Sequence, residues 1–146
     1  MYMGKITYQH LSSRDLNDAQ VLLKARSYSS AGRFAQQAVE KKLKQYIEDN
    51  GDTSDIGLLS THNTTKLYDR VVDLGGLVKN KDHRTMMAVL KDYYYDINYP
   101  GENSRELDEE EAAEAVKFAD EFIKFITPAC TNAIVPDTPP MQRQNL

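Results

Sequence analysis

Apolar residues recur at intervals of three and four in five separate stretches of the chain, each bounded by residues that start or stop helices. The sharpest is Phe34 to Ile47, FAQQAVEKKLKQYI. Here Phe34, Ala35, Ala38, Val39, Leu43, Tyr46 and Ile47 form one stripe, and Gln36, Lys41, Lys44 and Gln45 fall off it. This pattern predicts a core helix capped by Ser29 or Ser30 and ended at Asn50-Gly51, where glycine takes the left-handed conformation that closes helices cheaply. Upstream, Ser12 or Ser13 is the expected cap of a first helix running to about Tyr28, with Leu16, Ala19, Leu22, Leu23 and the stem of Arg26 turned inward. A polar loop, Asp52 to His62, precedes a third helix capped by Asn63, whose stripe is Leu67, Tyr68, Val71, Val72 and Leu74 and whose stop is Gly75-Gly76. A fourth helix from about Lys81 sets Met86, Met87, Leu90, Tyr93, Tyr94 and Ile97 on one side and ends at Pro100-Gly101. The fifth opens on a capping box, Asp108 with Glu111, and carries Glu109 and Glu110 against the positive end of the helix dipole. Its inward residues, Ala112, Ala115, Val116, Ala119, Phe122, Ile123 and Ile126, run on until Pro128.

No strand-like alternation and no fixed-period repeat competes with these segments, so the expected fold class is all-α. Short connections make neighbouring helices antiparallel, which predicts an up-and-down bundle of four long helices plus one shorter helix. The bundle is expected to occupy residues 1–128. Residues 129–146 hold Pro136, Pro139 and Pro140 and few bulky apolar groups, the composition of a loosely ordered C-terminal tail. A lone cysteine, Cys130, excludes an internal disulfide. No run approaches the roughly 18 apolar residues of a membrane span, and the N-terminus has no secretory apolar region, so a cytoplasmic protein without a membrane role is expected.

Charge changes the picture through its distribution. The net charge of −4 argues against a general affinity for nucleic-acid phosphates. Residues 1–45 nonetheless carry eight basic against three acidic side chains, an excess of +5, whereas residues 96–126 carry three against ten, a balance of −7. Two solvated helix faces attracting each other across a bundle account for this pattern, and so does a basic end that attracts an acidic partner. Metal chemistry is not expected: His10, His62 and His83 are far apart, no HExxH occurs, and one cysteine builds no zinc site. Gly75-Gly76 lacks the GxxxxGK pattern of a phosphate loop, and no nucleophile stands in a recognisable elbow. Neither a cofactor nor a catalytic residue is therefore assigned.

Three segments carry a family signal: Gln36-Gln37-x-x-Glu40-Lys41, then Thr61-His62-Asn63, then Tyr93-Tyr94-Tyr95-Asp96-Ile97-Asn98-Tyr99-Pro100. Together they resemble the HEPN family, named for a nucleotide-binding domain of higher eukaryotes and prokaryotes, over roughly Leu16 to Ile126. The resemblance implies the same helical bundle, usually as a homodimer. Many HEPN proteins resemble metal-independent ribonucleases that carry an arginine followed, four to six residues on, by a histidine. None of the three histidines here has an arginine at that distance before it. In the branch this chain resembles, an arginine precedes Tyr-Pro, and here that position is Asn98. An amide thus replaces a fixed positive charge.

What the resemblance implies is a non-catalytic module that dimerises and partners a minimal nucleotidyltransferase, in a toxin–antitoxin or defence pair, and binds nucleotide or RNA. Two alternatives stand beside it: a divergent metal-independent ribonuclease that uses His62 or a tyrosine, and a nucleotide-binding sensor. Candidate ligand residues are Gln37, Lys41, His62, Tyr94, Asp96, Asn98 and Tyr99. Lys41 would supply the charge that Asn98 lacks, the tyrosines would stack a base, and Asp96 and Asn98 would read its polar edge. Each has a purely structural reading too: tyrosines packed in the core with hydroxyls at the rim, His62 bonding a neighbouring helix, and Gln37, Glu40 and Lys41 tying helices together.

Overall fold

The computed structural model describes residues 5–126, and among these every regular element is helical. The order is α1 (Tyr8–Lys24), α2 (Tyr28–Asn50), a 3-10 helix (Thr53–Ser60), α3 (Thr64–Asp73), α4 (Lys81–Asn98) and α5 (Glu109–Ile123). Four helices are long and α3, at 10 residues, is the short one, as the periodicity predicts. The tail expected at 129–146, with Pro128 and Cys130, lies outside the described residues.

The start of α1 falls earlier than expected because Thr7, not Ser12 or Ser13, is the cap: its hydroxyl accepts from the His10 backbone N–H at 3.1 Å. Ser12 is buried inside the helix and donates to the Ala38 carbonyl of α2 at 2.7 Å, which requires the two backbones to lie close. The end of α1 also falls earlier, before Tyr28. Arg26 takes φ 63°, and the N–H groups of Arg26 and Ser27 donate back to Leu23 and Leu22. This is a Schellman closure with arginine in the left-handed position. The same closure ends α3, where Gly75 has φ 88° and Gly75 and Gly76 donate to Val72 and Val71. Gly76 is further required for space, since a Cβ there would meet the Tyr46 ring at 2.6 Å.

At the other expected glycine stop the reason differs. Gly51 has φ −87°, so it is not left-handed. A side chain is excluded there because its Cβ would come within 2.7 Å of the Ile47 carbonyl. The segment expected as a polar loop is the 3-10 helix, started by a capping box between Asp52 and Asp55. Asp55 also accepts from two guanidinium nitrogens of Arg70 in α3, Nε at 2.8 Å and Nη2 at 3.0 Å, which pins the segment to the bundle. The caps expected at Asn63 and Asp108 are in place, the latter as a full box with Glu111.

Helix α2 is the axis of the bundle and touches α1, α3, α4, α5 and the 3-10 helix. A helix enclosed on most sides buries its polar residues as well. Gln36 and Lys44, which fall off the apolar stripe, are 0% and 5% exposed, and Glu40 is 2% exposed. The core around α2 holds Leu43, Ile47, Leu67, Tyr68, Met87, Leu90 and Phe122, and Leu107 from the connection before α5 closes over Gly32.

Candidate functional site

Gln36, Glu40 and Lys44 stand at successive i, i+4 positions and form a ladder along one line of α2. Gln36 Nε2 donates to Glu40 Oε1 at 2.9 Å, and Lys44 Nζ donates to Glu40 Oε2 at 2.9 Å. A buried carboxylate is tolerated because the ammonium neutralises it and the amide fills a further lone pair. Across from the ladder, at the entry to α3, His62 Nδ1 lies 3.2 and 3.3 Å from the two Glu40 oxygens. The fixed turn between the 3-10 helix and the Asn63 cap holds the imidazole there, with its side chain 40% exposed.

Tyr94 of α4 lies flat on this imidazole, with ring centroids 4.1 Å apart and planes 15° from parallel. Tyr95 and Tyr99 meet Tyr94 edge-on at 5.2 and 6.1 Å and stack on each other at 6.3 Å. Both are open to solvent, Tyr95 at 46% and Tyr99 at 52%. Burial, then the hydrogen bond with Tyr99, pushes the Tyr94 phenol up to about 12, so it remains a neutral donor at physiological pH. Tyr93, by contrast, is a core residue at 4% exposure, and burial likewise raises its phenol. The three consecutive tyrosines therefore divide into one packed in the core, one stacked on the histidine and one on the surface.

Gln37, His62, Tyr94 and Tyr99 come together in this cluster, Gln37 because its Nε2 donates to the Gln36 side-chain Oε1 at 2.6 Å. Lys41 is turned towards α1, where its ammonium pairs with the fully buried Asp15. It is thus committed elsewhere and does not replace the charge missing at Asn98. Asp96 faces Arg105 at 3.8 Å and accepts the Arg105 backbone N–H through its carbonyl. It belongs to a recess of about 530 Å³ lined by Asp92, Asp96, Glu102, Asn103, Ser104 and Arg105. Arg105 in turn is held by Glu111 at 2.9 Å and stacks over Tyr93 at 5.5 Å, so the recess is acidic on balance and repels phosphate. Asn98, the last residue of α4, is exposed.

Sequence reasoning left Gln36, Glu40, Lys44 and Tyr95 out of the site. The i, i+4, i+8 spacing of Gln36, Glu40 and Lys44 was the available signal, obscured because polar residues off an apolar stripe read as solvent-facing. A groove of about 1040 Å³, lined in part by Asp69, Asp73, Lys79, Lys81 and Arg84, contains none of the candidate residues. Arg84 there is already paired with Asp69 through two 2.9 Å hydrogen bonds. Among the described residues no group of three metal-ligating side chains converges, and no helix is long and apolar enough to cross a membrane.

The sequence pattern of the HEPN domain matches residues 11–129. The crystal structure of TT1696 from Thermus thermophilus is similar at 26% identity and a TM-score of 0.64, covering 81% of this chain and 91% of that one. No curated protein matches the chain in sequence.

Proposed function

Because the chain belongs to the HEPN family, whose members are generally nucleotide-binding or ribonuclease-like, we propose that it is a non-catalytic binding module that takes a nucleobase of RNA or of a free nucleotide on its Tyr95–Tyr99 surface beside His62. The observation that carries this reading is the exposed, mutually stacked tyrosine pair that meets Tyr94, itself stacked on His62, edge-on. Exposed aromatic faces in series accept bases without needing a dense field of cations, which suits a chain of net charge −4. Family resemblance adds the finer part: a homodimer that serves a minimal nucleotidyltransferase in a toxin–antitoxin or defence pair.

Anisotropy titration of a fluorescent single-stranded RNA tests the binding half. Tyr99→Ala is expected to weaken binding by about tenfold, since base stacking is worth ~1–3 kcal/mol, with no change in melting temperature because the side chain is exposed. Equal affinity for variant and parent would refute the site. Affinity purification from the host lysate tests the partner half: a stoichiometric nucleotidyltransferase supports it, and RNA without that protein refutes it.

One observation favours a ribonuclease as the second reading. Glu40 against Nδ1 leaves the other imidazole nitrogen of His62 able to take a proton from a ribose hydroxyl. Cleavage of RNA in chelator that His62→Ala abolishes would establish that reading over the binding module.

A further inference from the structure

Glu40 and His62 together define which kind of hydrogen-bonding group the site can read. Glu40 is 2% exposed and its two oxygens already accept from Gln36 and Lys44. An ionised carboxylate only accepts, so the His62 nitrogen lying 3.2 and 3.3 Å from it is the one that carries hydrogen. Lys44 at 2.9 Å already compensates the Glu40 charge, so His62 meets the carboxylate as a hydrogen-bond donor through Nδ1 and is not needed as its counter-ion. Neutral imidazole protonated at Nδ1 has a bare lone pair at Nε2, and the shape of the five-membered ring points that lone pair away from the carboxylate. Among the described residues no hydrogen bond occupies Nε2.

We propose that Glu40 is a positioning residue that fixes His62 as a hydrogen-bond acceptor, so that the site selects bases with an amino group at purine position 6 or pyrimidine position 4, adenine and cytosine, over guanine and uracil, which carry a carbonyl there. The inference rests on the binding-module reading and sharpens its ligand class. Tyr94 holds the ring plane, the neighbouring tyrosines give affinity to any base, and Nε2 discriminates among them. A carbonyl brought to Nε2 sets two acceptors against each other and leaves both unpaired.

The clean comparison is between pyrimidines. Short oligocytidylate, oligouridylate and N4,N4-dimethylated oligocytidylate stack through the same ring, and only the first offers a donor at position 4. Intact protein should bind oligocytidylate about tenfold more tightly than either of the others, as one hydrogen bond of ~1.4 kcal/mol gives. Two-bond proton–nitrogen NMR spectra of the free protein should show His62 protonated at Nδ1 and bare at Nε2. Glu40→Gln/Lys44→Met, which removes both buried charges at once, should reduce the preference below about twofold while Tyr99→Ala still weakens binding to all three oligomers. Binding without base preference, or a His62 protonated at Nε2, overturns the proposal and leaves the binding module intact. Failure of every oligomer to bind overturns the module itself and the selectivity with it.

Discussion

Glu40 is the residue on which the cluster depends. One carboxylate engages Gln36 and Lys44 along its own helix and His62 from the entry to α3, all with 2% of its surface exposed. Its removal has an energetic consequence separate from recognition. Glu40→Ala leaves the ammonium of Lys44, 5% exposed, buried without a counter-charge, which is expected to cost about 3–5 kcal/mol. Glu40→Gln/Lys44→Met keeps the side-chain volume and removes both charges, so it should recover most of that loss. Urea denaturation of the two variants and the parent measures both quantities, and a double variant as unstable as Glu40→Ala would show that the pair is not the source of the cost.

Two helices end in the same hydrogen-bonded closure with different residues at the left-handed position, an internal comparison of what glycine contributes to an element. Gly75 at φ 88° adopts that conformation freely, and Gly75→Ala should lower stability by about 1 kcal/mol. Arg26 at φ 63° is exposed and carries the Cβ strain already. Arg26→Gly relieves ~1–2 kcal/mol of strain and adds ~0.4–1 kcal/mol of unfolded-state entropy. It is therefore expected to raise stability by about 0.5–1 kcal/mol, visible as a higher denaturation midpoint with an unchanged slope. The arginine in this position also explains why glycine and serine signals misplace the junction between α1 and α2: the closure there uses a residue that carries no turn signature.

At the scale of the whole molecule, the charge separation along the sequence does not put a basic face at the candidate site. Lys41 and Lys44 are consumed by Asp15 and Glu40, and acidic residues dominate the recess beside the end of α4. Binding of single-stranded RNA should accordingly depend weakly on salt. A plot of log affinity against log salt with a slope of about −1, one or two phosphates neutralised, is expected, whereas a slope steeper than about −3 would mean that a cationic surface carries the binding. The sequence by itself determined the helical class, the four long helices and the short one, the caps at Asn63 and Asp108 and the stop at Gly75, because these follow from interactions within a few residues of each other. It also marked His62, Tyr94 and Tyr99 through the family resemblance. Tertiary structure alone decided that α2 lies at the centre, so that Gln36, Glu40 and Lys44 are interior, that Lys41 turns to α1, and that only one of three consecutive tyrosines enters the core. Periodicity reports which side of a helix is most apolar, but how many sides are covered depends on the number of neighbours, a property of packing that no single helix encodes.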